Sequence, residues 1–300
     1  MNKPSIFEKK LILTDLDGTL LNNEEKINKY TIDIIKKIIS LGHIVCIATG
    51  RPLRSSIHIY KKLGLKTVIA NLNGSIITNP SDSSFLPINL TFNKNIVKEI
   101  MNDVTIMENL GCALIENLDG AFILSNKFDP FIMKEFLKKF HINEKETVQH
   151  ISYKDLSKIK HDINSILIYI KDKSKIDELS FKVKSITTTL IVRSWSLPHD
   201  DEGTVLEINS IFSNKGTALK FLSSYYAIPL NNCYTFGDGE NDLEMIRTCI
   251  NGYAMKNGSD ILKLISTKIT KNDNNNDGVA KELVSIFEID ERKLKIKNNK

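Results

Sequence analysis

Lys10-Leu11-Ile12-Leu13-Thr14-Asp15-Leu16-Asp17-Gly18-Thr19 is the stretch that decides the fold class. An apolar run of strand length stops at an acidic turn containing glycine. Its apolar residues are consecutive rather than alternating, the pattern of a strand covered on both faces, as in a parallel sheet. Working outward, Asn28 to Leu41 sets Tyr30, Ile34, Ile35, Ile38 and Ile39 on one stripe of an amphipathic helix, which Gly42 stops. His43 to Ala48 is a second buried strand. Pro52 stands where a first helical position belongs, opening a helix to about Leu63-Gly64, and Thr67 to Ala70 is a third strand. Strand, helix, strand, helix, strand implies a parallel sheet with right-handed crossovers.

The turn-rich segment Asn79 to Ser84 marks a change of pattern. A helix is expected from about Asn95 to Leu110, then two apolar runs, Cys112 to Glu116 and Ala121 to Ser125, around the hairpin signal Asp119-Gly120. Asp129-Pro130 caps a helix expected to reach Phe140. Ile163 to Ile170, Thr189 to Ser194 and Val205 to Asn209 read as strands, and Ser174 to Ser185 as a helix. The βα alternation then resumes. Ser213-Asn214-Lys215-Gly216 opens a helix, Cys233 to Phe236 is a buried strand, another helix starts near Asn241, and Tyr253 to Met255 is a short strand. The expectation is an α/β protein: a doubly wound, Rossmann-like parallel core from residues 1–80 and 210–300, with an α+β domain inserted at 81–209. Asn272 to Asp277 reads as an Asn/Asp-rich loop, and the last residues from Glu291 as a basic, solvated tail.

With 300 residues, 41% hydrophobic and 26% charged, the chain has the composition of a globular protein of two domains. Collagen-like, disulfide-scaffold and wholly disordered chains are thereby excluded. The net charge of +5 suits a protein that handles anions but is too small to argue for nucleic acid. No apolar run is long enough to span a membrane, and Met1 to Lys10, polar and charged, is not expected to act as a signal peptide. Cys46, Cys112, Cys233 and Cys249 lie far apart with no C-x-x-C pair, so free thiols and a cytoplasmic setting are expected. The six histidines form no ligand spacing and read as structural or surface residues.

Ligand sites in open parallel sheets lie beyond the carboxyl ends of the strands. That rule gathers Asp15 to Thr19, Ala48 to Arg51, Asn214 to Gly216 and Gly237 to Asp242 on one rim. So many carboxylates would repel one another without a divalent cation, and oxygen-only ligands favour Mg²⁺ over Zn²⁺. A phosphate suits such a cluster: Lys215 would neutralise its oxygens, and Thr49 and glycine N–H groups would hydrogen-bond them. Asp15, rigid at a strand end, is placed to attack phosphorus. Asp17, two residues on, is placed to protonate the leaving oxygen and then to deprotonate water.

D-L-D-G-T-L-L (Asp15 to Leu21), A-T-G-R-P (Ala48 to Pro52), N-K-G (Asn214 to Gly216), G-D-G-E-N-D-L-E-M-I (Gly237 to Ile246) and D-G-V-A (Asp277 to Ala280) resemble, in order, the signatures of the haloacid dehalogenase (HAD) phosphatase superfamily, Cof-type, subfamily IIB. The resemblance implies a cap of the C2B type that shuts over the rim. It also implies a Mg²⁺-dependent phosphomonoester hydrolase acting through an aspartyl phosphate on small phosphorylated metabolites, sugar phosphates first. Asp15 would be nucleophile and Asp17 acid/base, with Thr49 and Lys215 on phosphate. Mg²⁺ would be held by Asp15, the Asp17 carbonyl and Asp238, with Asp242 orienting the metal shell. Asn241 would touch phosphate or metal-bound water, and Arg51 and Asn73 lie where relatives contact substrate. Asn214 stands where the family commonly has Ser, and Pro198 to Gly203 resembles an added acidic loop.

The bland readings sit beside these. Asp15 and Asp17 could merely end a strand, Thr49 could satisfy backbone groups, and Arg51 could pair with a carboxylate. Lys215 at a helix N-terminus opposes the helix dipole, which hints at an anion beside it. A sugar phosphomutase of the same superfamily and a non-catalytic phosphosugar-binding regulator are the alternative functions. A signalling receiver module is set aside because the candidate nucleophile is on the first strand. The expected partner is a small metabolite, not nucleic acid or membrane, for a monomer or small homo-oligomer.

Overall fold

The computed structural model describes residues 8–118, 120–124, 148–195 and 203–292. The helix expected from Asp129 to Phe140, the acidic loop up to Glu202 and the end of the basic tail lie outside the described residues. The chain forms two compact units, Met1–Pro87 with Asn214–Lys300, and Ile88–Ser213. The crossings thus fall a few residues beyond the expected 80/81 and 209/210.

The first unit opens with β1 (Leu11–Thr14), α1 (Lys29–Ser40), β2 (Ile44–Ala48), α2 (Leu53–Leu63), β3 (Ile69–Asn71) and β4 (Ile76–Thr78). The second contains β5 (Ile88–Asn89), α3 (Asn95–Asn102), α4 (Val104–Asn109), β6 (Leu110–Asn117), β7 (Gly120–Leu124), β8 (Val148–Ile151), β9 (Ser165–Ile170), α5 (Ile176–Ile186), β10 (Leu190–Trp195) and β11 (Thr204–Ser210). The first unit resumes with α6 (Lys215–Tyr225), β12 (Cys233–Gly237), α7 (Leu243–Thr248), β13 (Asn251–Ala254), α8 (Asp260–Ile265), β14 (Lys268–Ile269) and α9 (Gly278–Ile286).

In the first unit the strand order is β14-β13-β12-β1-β2-β3-β4. All neighbours are parallel except β4, which turns back antiparallel on β3. This is the expected α/β sheet. β1 is buried along its whole length, which explains its unbroken apolar run. Its register pairs Leu11 with Cys233 on one side and with Ile44 on the other. The first and last thirds of the chain therefore meet at this strand, the switch point where an open sheet forms its crevice. Helix α1 buries Ile34, Ile35 and Ile38 in the core, joined by Ile59 and Leu63 of α2 and Val279 and Leu283 of α9. Asn214 caps α6, its side-chain oxygen accepting from the Thr217 amide at 2.8 Å, so Asn performs the capping a Ser would.

The second unit is a mainly antiparallel sheet in the order β10-β11-β9-β6-β7-β8, with β7 and β8 parallel. The β6–β7 hairpin forms around Gly120. The single helix expected from Asn95 to Leu110 is two helices. Asp103 adopts an extended backbone, and its carboxylate accepts from the Ile106 amide at 3.0 Å, ending α3 and capping α4. Among the described residues no helix is long and apolar enough to cross a membrane, and all four cysteines are free and buried.

Helix α6 brings Lys215 to the rim only because its second residue is glycine. A Cβ on Gly216 would lie 2.8 Å from the carbonyl oxygen of Glu244 in α7. Gly216→Ala is expected to cost about 1–3 kcal/mol, the usual penalty of overpacking, read as a lower urea midpoint with an unchanged slope.

Candidate active site

Asp15 is the first residue beyond β1, and its amide still donates to the Phe236 carbonyl at 3.0 Å, continuing the ladder to β12. The sheet thus fixes its backbone. Its carboxylate lies 2.8 Å from the Lys215 ammonium, which is 0% exposed. The same ammonium donates to Asp242 at 2.6 Å. The other oxygen of Asp242 accepts from the backbone amides of Asp238 and Gly239 at 2.9 and 3.0 Å. Asp242 is thereby committed on both oxygens: it seats Lys215 and shapes the loop that carries Asp238. Carboxylate oxygens of Asp15, Asp238 and Asp242 lie within 4.8 Å of one another.

Thr19, which the sequence reading did not single out, donates its hydroxyl to Asp238 at 2.7 Å. It lies four positions after Asp15 in the same tag, so its spacing was the available signal. Between them Gly18 adopts a positive φ of 68°, and a Cβ there would fall 2.2 Å from an Asp238 carboxylate oxygen. Only glycine lets the turn pass that close.

Burial drives the electrostatics. It pushes the Asp15 carboxyl well above the ordinary range; Lys215 opposes this, and the charges of Asp242, Asp238 and Asp17 reinforce it. Asp238 is pushed up to about 7, chiefly by burial and then by Asp242, with Thr19 and Lys215 acting against the rise. Burial also disfavours the Lys215 ammonium, but Asp15 and Asp242 outweigh that and raise its pKa. One ammonium faces three crowded carboxylates, so the cluster is short of positive charge.

Asp17 is more open, with 44% of its side chain exposed. Both its oxygens are taken by Arg51, Nε at 2.7 Å and Nη2 on the second oxygen. Nη2 also lies 3.3 Å from Glu25, a residue with no sequence signal because a positive-φ turn brings it there. Arg51, expected toward substrate, thus has its guanidinium on two carboxylates of its own chain. The Thr49 hydroxyl, wholly buried, accepts from the Arg51 amide at 3.1 Å, the backbone role weighed for it; a hydroxyl keeps a donor for a second partner. Asn73 sits in a run of three left-handed residues, Leu72, Asn73 and Gly74. The run is held by Leu72 N to Arg51 O at 3.2 Å and Asn73 N to Thr49 O at 2.9 Å. Its side-chain oxygen accepts from Asn241 at 2.9 Å. All nine expected site residues therefore lie on the loops beyond β1, β2, β3 and β12 or at the start of α6.

Residues 12–283 match the haloacid dehalogenase-like hydrolase family. The chain belongs to that family. It is 31% identical over 280 residues to the 5-amino-6-(5-phospho-D-ribitylamino)uracil phosphatase YitU of Bacillus subtilis, covering 93% of this chain and 98% of the relative. A haloacid dehalogenase-like hydrolase from Bacteroides thetaiotaomicron superposes with a TM-score of 0.74 at 26% identity, covering 93% of this chain and all of its own. A sugar phosphatase of HAD subclass IIB shares the fold, with a TM-score of 0.74 at 19% identity, covering 94% of this chain and 100% of its own. The protein is an enzyme of the phosphatase kind.

The raised carboxyls give stability a sign with pH. In a chelator, the folded chain keeps a proton on Asp238 up to about pH 7, whereas the unfolded chain releases it near 3.8. Between those values the folded state binds more protons, so stability falls as pH rises. Urea unfolding of metal-free protein at pH 5 and 7 is expected to show the loss, and Asp238→Asn to reduce it, leaving the share that the raised Asp15 carboxyl contributes.

Proposed function

We propose that this phosphatase hydrolyses small phosphomonoesters, sugar phosphates foremost, through a phosphoryl group carried on Asp15. The observation that supports the reading most directly is the Asp15 carboxylate, fixed at a strand end, 2.8 Å from a buried ammonium and beside two further carboxylates. An Asp15 oxygen forms a bond to phosphorus as the ester P–O bond breaks, and Lys215 offsets charge on the transferring oxygens. Asp17 donates a proton to the leaving oxygen. It then takes one from the water that attacks phosphorus and frees Asp15. Asp17 must leave the Arg51 fork to reach a leaving group, and Glu25 gives that guanidinium a second acceptor. Thr49 and Asn241 are assigned to the phosphate oxygens, and Asn73 holds Asn241 in place.

The donor set fits Mg²⁺: hard oxygens, three carboxylates and a deficit of positive charge. Asp15, Asp238 and the Asp17 main-chain carbonyl would hold the ion, with Asp242 behind them. When bound it would supply the charge the cluster lacks and neutralise phosphoryl oxygens. For substrate, the name of YitU points to a phosphorylated ribityl chain, so phosphorylated sugar alcohols join the sugar phosphates. A cytoplasmic setting accords with four free, buried thiols.

A screen of phosphorylated sugars and sugar alcohols for phosphate release tests the reading, run without any bisphosphate activator so that a mutase would stay silent. Asp15→Asn is expected to abolish turnover, and Asp17→Asn to lower it roughly 10²–10⁴-fold. Chelation is expected to silence the enzyme and Mg²⁺ to restore it. Phosphate release by Asp15→Asn, or release indifferent to chelation, would contradict these assignments.

A further inference from the structure

The Asn-rich loop that the sequence presents as mere composition is tied to the loop carrying Asp17. The Asn257 amide donates to the Gly18 carbonyl at 2.7 Å. Its side-chain oxygen accepts from the Asn274 backbone at 3.0 Å. The Asn274 amide, on a residue only 4% exposed, donates to the Leu21 carbonyl at 3.0 Å and to the Asn23 side chain at 2.9 Å. The Asn23 backbone amide in turn donates to the side chain of Asn275 at 2.9 Å. The turn that carries Asn257, closed by Gly258 N to Met255 O at 2.8 Å, is anchored to the acidic cluster, because the Ser259 amide donates to the Asp238 carbonyl at 2.8 Å. The loop itself, Leu16 to Leu20, is irregular: Asp17 and Gly18 leave helical geometry, and Leu21 N to Leu16 O at 2.8 Å closes it. Its carbonyls at Gly18 and Leu21 have left the regular ladder and need partners from elsewhere.

We propose that Asn257 and Asn274 are positioning residues for the reaction, a clasp that fixes the Asp17 loop against the Asp238 loop. Three links converge on this. Asn257 joins Gly18 to the turn bonded to Asp238. Thr19 joins the same loop to the Asp238 carboxylate. Asn274 holds the loop's exit at Leu21, from which Asn22 starts the turn that delivers Glu25 to Arg51. A carbonyl is an acceptor only, so each bond needs a donating amide, and Asp in place of Asn removes it without changing the side chain's size.

The test uses the full chain and two variants. Asn257→Asp, at an exposed position, keeps the oxygen that accepts from Asn274 but loses the donor to Gly18. Asn274→Ala removes both bonds to the loop exit. Hydrogen exchange at the Gly18–Leu21 amides is expected to speed up about tenfold or more in each, with the thermal midpoint of Asn257→Asp near that of wild type. The activity arm rests on the phosphatase reading above: kcat is expected to fall roughly ten- to a hundredfold with little change in KM, as misplacement of a reacting group does. Wild-type exchange rates in Asn257→Asp overturn the clasp whatever turnover does, and so does faster exchange with unaltered kcat. If Asn274→Ala does not fold, Asn257→Asp decides alone. If the wild type releases no phosphate at all, the phosphatase reading fails separately and exchange still judges whether the clasp holds the loop.

Discussion

A single buried ammonium makes the site possible. Lys215 has no exposure to water, yet stays charged because two carboxylates lie within hydrogen-bond reach of it. Removing a charge from water is costly unless it is paired, and truncating one partner of such a group leaves the other stranded. The three residues therefore depend on one another: Asp242 needs Lys215, Lys215 needs Asp15 and Asp242, and Asp15 tolerates burial better for having Lys215 beside it. The balance is incomplete, since Asp238 brings a further negative charge. That shortfall is what the proposed Mg²⁺ would make good, and in the proposed reaction the lysine would be shared between its own carboxylates and the phosphate.

The scaffold meets this demand with main-chain precision. β1 lies between β2 and β12, and the ladder continues one residue past the strand into Asp15. Asp242 is immobilised by two backbone amides as well as by the lysine. Asp17, by contrast, stands on an irregular turn, half exposed, and is held by a side chain, that of Arg51, rather than by the sheet. A fixed carboxylate and a turn-borne one, on residues two apart, accord with the different tasks proposed for them.

Much of this could be read from the chain. The apolar runs located β1, β2 and β12, and the rule about strand carboxyl ends put Asp15, Thr49, Lys215, Asp238 and Asp242 on one rim. What escaped has physical reasons. β4 has three residues, too few for a period, and α8 and β14 are similarly short. Asp103 looked like one more polar position on a helix, because whether such a side chain caps or faces solvent depends on local backbone. Glu25 reaches Arg51 through the geometry of a turn, and the asparagines at 257 and 274 act through contacts across most of the chain, which no local pattern encodes. Arg51 is the instructive case. Its tag placed it correctly at the rim, but the partner it chose, Asp17, is a matter of side-chain geometry.

The pairing of Leu11 with Cys233 carries a consequence for how the enzyme is made. During synthesis β1 emerges early and must wait, one edge open, until the final third of the chain has left the ribosome. Loop closure over such a span slows assembly, and an unpaired strand edge is what non-native partners exploit. The acidic rim is thus born late: a nascent chain carries its first aspartates long before it owns the lysine that makes them bearable together.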